Sequence, residues 1–198
     1  MRCKAGLAVL LLVFTSPADM LQAAVTQSVN EDNGLRSWRL LDGDIEIELI
    51  QRLPDQTRAM FMNYEFSRDV IEQLANSCMF QTIIRNTGAS GSGRAIEIDL
   101  TSWRMRYDGK EQALLLKESL LESWTDEDAD RSAKVVVRWA MFPTRQEYLT
   151  SDYNWGLTAY GVPPGAMFDL SVAWVDGGRQ QTGYIPGIVC APDVDRLK

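Results

Sequence analysis

Several segments of the chain alternate between apolar and polar side chains, and this alternation limits the possible folds more than any other feature. Ile45, Ile47 and Leu49, for example, are separated by two glutamates. A period of two places one set of side chains on one face of a β-strand, where that set can be buried. The alternating segments are residues 45–49, 60–66, 79–86, 96–107, 135–141 and 168–174, and residues 182–190 close the domain with Cys190.

The pattern of short strands with turn signals between them predicts an all-β fold in a single domain over residues 24–198. An immunoglobulin-like β-sandwich of about seven to nine strands is favoured, and a closed barrel is the alternative. One short helix is expected at residues 68–77, where Val70 and Leu74 lie on a helical stripe. Asp69 precedes that stripe and is the expected N-cap.

Other segments interrupt the alternation. The parity of the apolar positions changes at Thr101–Ser102, which predicts a bulge or bend. Residues 25–36 are polar and predict a loose N-terminal segment of the mature chain. Residues 111–124 fit a strand that leads into a helical turn, and residues 144–165 fit a long connection with one short strand near residues 157–160.

The N-terminus has the three parts of a secretory signal peptide. Arg2 and Lys4 precede a run of ten apolar residues, and small-residue cleavage sites end at Ala18 and at Ala23. We therefore expect a signal peptide over residues 1–23 and a periplasmic or secreted protein. The apolar run is shorter than the roughly 20 residues that span a bilayer, so no membrane span is expected in the mature chain.

The three cysteines fit this compartment. Cys3 is removed with the signal, which leaves Cys78 and Cys190 as an even pair. A pair of cysteines in an oxidising compartment predicts a structural disulfide. A redox or thiolate metal site is the alternative, and the absence of a CxxC motif and of histidine disfavours it.

Composition excludes several classes of function. The chain has no histidine, so it cannot form a Ser-His-Asp triad or a His-ligated metal site. Cleavage removes Arg2 and Lys4, and the longer signal also removes Asp19, so the net charge changes from −7 to −9 or −8. This charge, with no cluster of Lys and Arg, disfavours nucleic acid as a partner. An enzyme that uses carboxylates is the least supported class, because no pair of carboxylates stands out.

Two methionines suggest a metal-binding alternative. Met60 and Met62 are two residues apart, so a strand would place both thioethers on one face. Thioethers select Cu(I) in an oxidising compartment, which makes periplasmic Cu(I) handling the alternative function. Core packing explains the same pattern, because methionine fills gaps in apolar cores. Without Cu(I), no cofactor is expected.

A short segment in the long connection is rich in aromatic and amide side chains. Such side chains on a loop suit the recognition of a protein or a carbohydrate. They could also plug the end of the sandwich and cap turns. We therefore expect an exported, non-enzymatic binding or accessory module with a protein or carbohydrate partner in the cell envelope. An exposed sheet edge that takes up a partner strand is a second mode of contact. The candidate ligand-binding residues are Tyr148, Asp152, Tyr153, Asn154 and Trp155.

Overall fold

The computed structural model describes residues 23–89 and 93–193. The predicted signal peptide, except Ala23, lies outside these residues. The strands are β1 (Ala24–Val29), β2 (Arg36–Asp42), β3 (Ile45–Gln51), β4 (Met79–Asn86), β5 (Ile96–Asp99), β6 (Arg104–Tyr107), β7 (Lys110–Ala113), β8 (Arg145–Tyr148), β9 (Tyr153–Ala159), β10 (Met167–Asp176) and β11 (Arg179–Val189). The helices are α1 (Pro54–Phe61), α2 (Arg68–Ala75), α3 (Lys117–Ser123) and α4 (Arg131–Ala140), with a 3-10 helix at Leu100–Ser102.

The strands form two antiparallel sheets, which confirms the prediction of an all-β, sandwich-like fold. The first sheet has the order β1-β2-β3-β4-β9. In the second sheet β10 pairs with β11 on one side and with both β5 and β6 on the other, and β8 and β7 follow β5 and β6. The described residues contain more elements than expected, with 11 strands and several helices in place of one.

The main core lies between the two sheets and is built from the alternating residues. Trp38, Leu40 and Ile47 from the first sheet meet Leu170 and Trp174 from the second, and all of them are buried. The sheets approach closely where β11 faces β2. A Cβ atom at Gly183 would lie 2.6 Å from Leu40 Cδ2, so a larger residue here would displace Leu40 from its place between the sheets.

The helices form a second core against the other face of the first sheet. Helix α2 confirms the helix expected at residues 68–77, but Asp69 is not its N-cap. Ser67 Oγ accepts the hydrogen bond from Val70 N at 3.3 Å, so Ser67 is the N-cap. Phe61, Leu74 and Val137 are among the buried side chains that pack on this face.

Two segments expected to be strands contain helix instead, one in part and one almost throughout. Residues 60–66 include the end of α1, which begins at Pro54, where a missing N–H costs nothing. Residues 135–141 belong to α4, whose N-cap Asp130 accepts a hydrogen bond from Ala133 N at 2.6 Å. The alternating set includes Val137 and Met141, which are four residues apart and both buried. Residues four apart share a helix face, so this spacing fits a helix as well as a strand.

The structure also corrects or adds detail to the predictions for three segments outside the alternating strands. Residues 25–36 are not a loose segment, because β1 pairs with β2 along its whole length. The connection at residues 144–165 contains two strands, β8 and β9, which lie in different sheets. The expected bend at Thr101–Ser102 is present as the 3-10 helix between β5 and β6.

A disulfide and an ion-pair cluster hold the end of the described chain. Cys78 and Cys190 form the predicted disulfide, with a Cα–Cα distance of 5.4 Å and a sequence separation of 112. Three residues later, the nearly buried carboxylate of Asp193 accepts a hydrogen bond from Arg58 at 2.8 Å. Arg58 also contacts Glu72 at 2.9 Å, so α1, α2 and the C-terminal segment meet at one guanidinium group.

Within residues 23–89 and 93–193, none of the helices combines the length and the apolar character that a membrane-spanning helix needs.

Candidate functional site

The helices cover only part of the outer face of the first sheet. Met79 on β4 and Leu157 and Ala159 on β9 lie under the helices and are buried; we call these three residues the covered face. The other ends of the same strands carry no helix. There, the residues of the same parity form a surface that we call the open face: Arg39, Leu41, Glu46, Glu48, Ile83, Arg85, Tyr153 and Trp155.

Two aromatic side chains dominate the open face. The Trp155 side chain is 61% exposed and that of Tyr153 is 66% exposed, although both belong to a paired strand. Trp155 lies directly opposite Ile83 on β4, and Tyr153 lies opposite Arg85. Each aromatic side chain is close enough to touch its neighbour on β4. The indole and the phenol also lie side by side, because residues two apart on a strand share a face.

A balanced group of charges lies beside the aromatic pair. Arg85 forms an ion pair with Glu46 and approaches Glu48 at 3.4 Å. Arg39, on the other side of β3, lies 3.8 Å from Glu46 and 3.4 Å from Glu48. The two carboxylates are largely covered, while the two guanidinium groups are more exposed. The group has no net charge, and it presents N–H donors next to the aromatic rings.

Two of the predicted site residues shape the backbone that carries the aromatic pair. Asp152 Oδ2 accepts a hydrogen bond from Leu149 N at 2.9 Å and so holds the turn between β8 and β9. Asn154 Oδ1 accepts from Trp155 N at 2.8 Å, and its Nδ2 donates to Gln146 Oε1 at 2.6 Å. Both residues position Tyr153 and Trp155 through local hydrogen bonds.

Tyr148 does not belong to this surface, so its prediction as a ligand-contacting residue is wrong. Its side chain is fully buried in the core between the sheets. The hydroxyl has no hydrogen-bond partner among the described residues, and burial raises the pKa of the phenol above its usual range. The error arises because β8 and β9 belong to different sheets, so residues only five apart point to different parts of the fold.

The methionine pair also lies elsewhere than expected. Met60 lies in α1 and Met62 is its C-cap, so the premise that one strand face carries both thioethers is wrong. Residues two apart on a helix point in nearly opposite directions. The Met60 thioether accepts a hydrogen bond from the cationic Arg52 side chain at 3.3 Å, while Met62 is exposed. In the described ranges, no group of three or more His, Cys, Asp or Glu residues could hold a metal ion.

A groove on the outer face of the second sheet is a second concave surface. It has a volume of about 640 Å³ and lies along β5, β8 and β10. Glu97 and Glu147 are directly opposite each other across β5 and β8, and Asp99 pairs with Arg145 at 2.8 Å. Sequence reasoning missed this groove because it did not identify β8.

Sequence reasoning also missed the part of the open face that β2, β3 and β4 contribute. Glu46 and Glu48 alternate with buried residues, so their outward position was readable. Their proximity to Tyr153 and Trp155 depends on the order β3-β4-β9, which joins strands far apart in the chain.

Comparisons with protein-family models, with curated proteins and with solved structures give no match for this chain.

Proposed function

We propose that this protein is an exported, non-enzymatic binding module that contacts a protein or carbohydrate partner in the cell envelope through the open face. The observation that carries the proposal is the exposure of Trp155 and Tyr153 side by side on β9. A large aromatic side chain stabilises a fold when it is buried. These two side chains contribute little of that stabilisation, so contact with a partner gives them a role.

The polar surroundings support recognition of a polar partner. The Arg39 and Arg85 guanidinium groups keep N–H donors at the surface, while their charges are balanced by Glu46 and Glu48. An aromatic surface with adjacent donors suits a sugar ring or a peptide segment, because both combine apolar area with hydrogen-bond acceptors. Trp and Arg are also enriched among the residues that dominate protein interfaces.

The scaffold supports binding without large rearrangement. The aromatic residues stand on a strand that pairs with β4 along its length, and Asn154 and Asp152 fix the adjoining turn. A side chain held in its bound position loses less conformational entropy when a partner binds. The disulfide is compatible with export to an oxidising compartment.

Photocrosslinking in the native cell envelope tests the proposal. A benzophenone amino acid replaces Trp155 in one variant and Trp139 in the control. Trp139 is 85% exposed and belongs to α4, outside the open face. We expect adducts at position 155 that are absent at position 139. For a carbohydrate partner, isolated envelope polysaccharide should retain the wild type and release a Trp155→Ala/Tyr153→Ala variant.

The proposal is wrong if position 155 gives no adduct beyond those of the control and the polysaccharide retains both proteins equally. The comparison requires that the Trp155→Ala/Tyr153→Ala variant is folded, and its unfolding midpoint shows whether it is. The Cu(I) alternative is not carried forward, because the thioethers of Met60 and Met62 do not share a face.

A further inference from the structure

The strand β1 forms one edge of the first sheet and lacks the usual protection against pairing with another strand. β1 pairs with β2 on one side, and no strand among the described residues pairs with its other side. Its sequence, Ala24–Val29, contains no charged residue and no proline. Natural sheet edges are commonly blocked by lysine, proline or a bulge, because a free edge can pair with another strand.

The hydrogen bond that closes the β1–β2 hairpin shows which main-chain groups face outward. Asn30 N donates to Leu35 O at 2.8 Å, so Asn30 faces β2. In an antiparallel ladder, alternate residues bond to the same neighbour. Ser28, Thr26 and Ala24 therefore face β2, and the N–H and C=O groups of Val25, Gln27 and Val29 point away from the sheet.

β1 also extends beyond the second sheet. On β2, Trp38 and Leu40 lie opposite Gln27 and Val25 and are buried. The side chains of β1 itself are exposed along the whole strand, including Val25 at 36% and Val29 at 56%. Two valines on one side of an open edge therefore keep part of their apolar surface exposed.

The sequence of β1 is symmetric about Gln27. Read from Val25 to Val29 it is Val-Thr-Gln-Ser-Val, with a valine at each end and a hydroxyl residue on each side of the glutamine. Two identical strands that pair antiparallel about a two-fold axis place one residue opposite its own copy, and that residue can face outward or inward. When it faces outward, the two copies exchange main-chain hydrogen bonds on the axis itself. Gln27 is both the centre of the symmetric sequence and an outward-facing residue.

We propose that β1 pairs antiparallel with β1 of a second copy of this chain, with Gln27 on the two-fold axis. Val25 then lies opposite Val29 of the second copy, and Thr26 lies opposite its Ser28. Each outward-facing residue exchanges main-chain hydrogen bonds with its opposite residue. The two first sheets join into one continuous sheet, in the manner of strand addition at an exposed edge.

Charge is compatible with this contact, although the chain is acidic. The net charge is −7, so most pairs of surfaces would repel each other. The paired segment brings no charges together, because β1 carries none. Glu31 and Asp32 follow the strand and fall beyond Ala24 of the second copy in this register.

Sedimentation of the mature, oxidised protein over a wide concentration range tests the proposal. We expect a reversible shift from monomer to dimer in the wild type. Gln27→Pro should remain monomeric throughout. Proline removes the N–H on the axis but leaves the β2 ladder intact, because this N–H faces outward. An unfolding midpoint equal to that of the monomeric wild type shows that the variant is folded.

A charge pair tests the register. Val25→Glu/Val29→Glu places like charges opposite each other at both ends of the contact, whereas Val25→Lys/Val29→Glu places opposite charges there. The Val29→Glu substitution is common to both variants, so they differ only at residue 25. We expect the dimer dissociation constant of the first variant to exceed that of the second by about tenfold.

Three results would overturn the proposal. The wild type could remain monomeric at every concentration. The dimer could persist unchanged in Gln27→Pro, which would place the interface elsewhere. The two charge variants could dimerise equally, which would exclude pairing of Val25 with Val29 of the second copy.

Discussion

The covered face lies on β4 and β9, and the open face continues on the same two strands with the same parity, yet the side chains differ. Under the helices the outer positions are Met79, Leu157 and Ala159, and all three are buried. Beyond the helices the next outer positions on β9 are Trp155 and Tyr153, which are mostly exposed. Burial explains the apolar residues of the covered face, whereas nothing inside the described fold explains the aromatic residues of the open face.

The difference separates residues that stabilise the fold from residues available for contact. Full burial of a large apolar side chain contributes about 1.5–3 kcal/mol relative to exposure. Leu157 has this contribution, and Trp155 lacks most of it. Substitutions on the covered face should therefore lower the free energy of unfolding, while those on the open face should leave it nearly unchanged.

The largest effect is expected where the chain enters the covered face. Cys78 directly precedes β4, and its disulfide closes a loop with a sequence separation of 112. Replacing both cysteines by alanine should lower the free energy of unfolding by about 4–5 kcal/mol in the chain-entropy model. Urea unfolding of the oxidised wild type and the variant measures the difference. A loss below about 1 kcal/mol would contradict the assigned role.

Leu157→Ala tests the covered face itself. The side chain is packed against α4 and its neighbours, so truncation leaves a cavity. We expect a loss of about 2–5 kcal/mol in the free energy of unfolding, measured by urea denaturation. An effect as small as that of an exposed residue would show that the helices do not hold this surface.

Gly156→Ala tests the boundary between the two faces. A Cβ atom at this position would lie 2.8 Å from the backbone N and Cα of Phe142. Backbone cannot move as easily as a side-chain tip, so we expect a loss of about 1–3 kcal/mol in stability. Gly178→Ala is unsuitable as a control because its φ is positive, so Glu122→Ala at an exposed position of α3 serves instead.

The Arg58 cluster gives the stability of the helical layer a pH dependence. Hydrogen bonds from Arg58 hold the pKa of Glu72 below its usual value. This contribution is present above the unfolded pKa of Glu72 and is lost as pH falls through the lower, folded pKa. Arg58→Met should therefore destabilise the protein near neutral pH, and the difference from wild type should shrink in acid. Unfolding midpoints measured across the acid range would contradict this if the difference stayed constant.

The smallest effect is expected on the open face. Trp155→Ala and Tyr153→Ala should each change the free energy of unfolding by no more than about 0.5 kcal/mol, because the side chains are mostly exposed. Urea denaturation beside Leu157→Ala gives a direct comparison on one strand. A loss comparable to that of Leu157→Ala would mean that these aromatic residues serve the fold.

Alternation in the sequence was sufficient to predict the strands that line the main core. Residues 45–49 and 168–174 alternate because one face meets the opposite sheet and the other meets solvent or helices. It failed at α4, where Val135, Val137 and Trp139 also alternate. Only Val137 of these is buried. The local sequence could not distinguish a helix from a strand there, because the surface that buries Val137 comes from strands distant in the chain.

The site was predicted in part for a similar reason. Trp155 and Tyr153 were identified from their composition, and the structure places both at the surface. Tyr148 was grouped with them by proximity in the chain, although it belongs to the other sheet. Arg85 joins the site only through the pairing of β4 with β9. Such long-range register cannot be read from one segment at a time.

The 3-10 helix at Leu100–Ser102 divides what would be one long strand beside β10 into two short strands, β5 and β6. Opposite β10, Trp174 pairs with Ile98 and Ser171 pairs with Arg104, so extra residues are looped out between β5 and β6. Beyond the interruption, β7 and β8 each extend for only four residues. Strands this short are poor templates for adding a foreign strand. On this side the second sheet therefore offers only four-residue edges, whereas β1 offers the first sheet an edge of six residues.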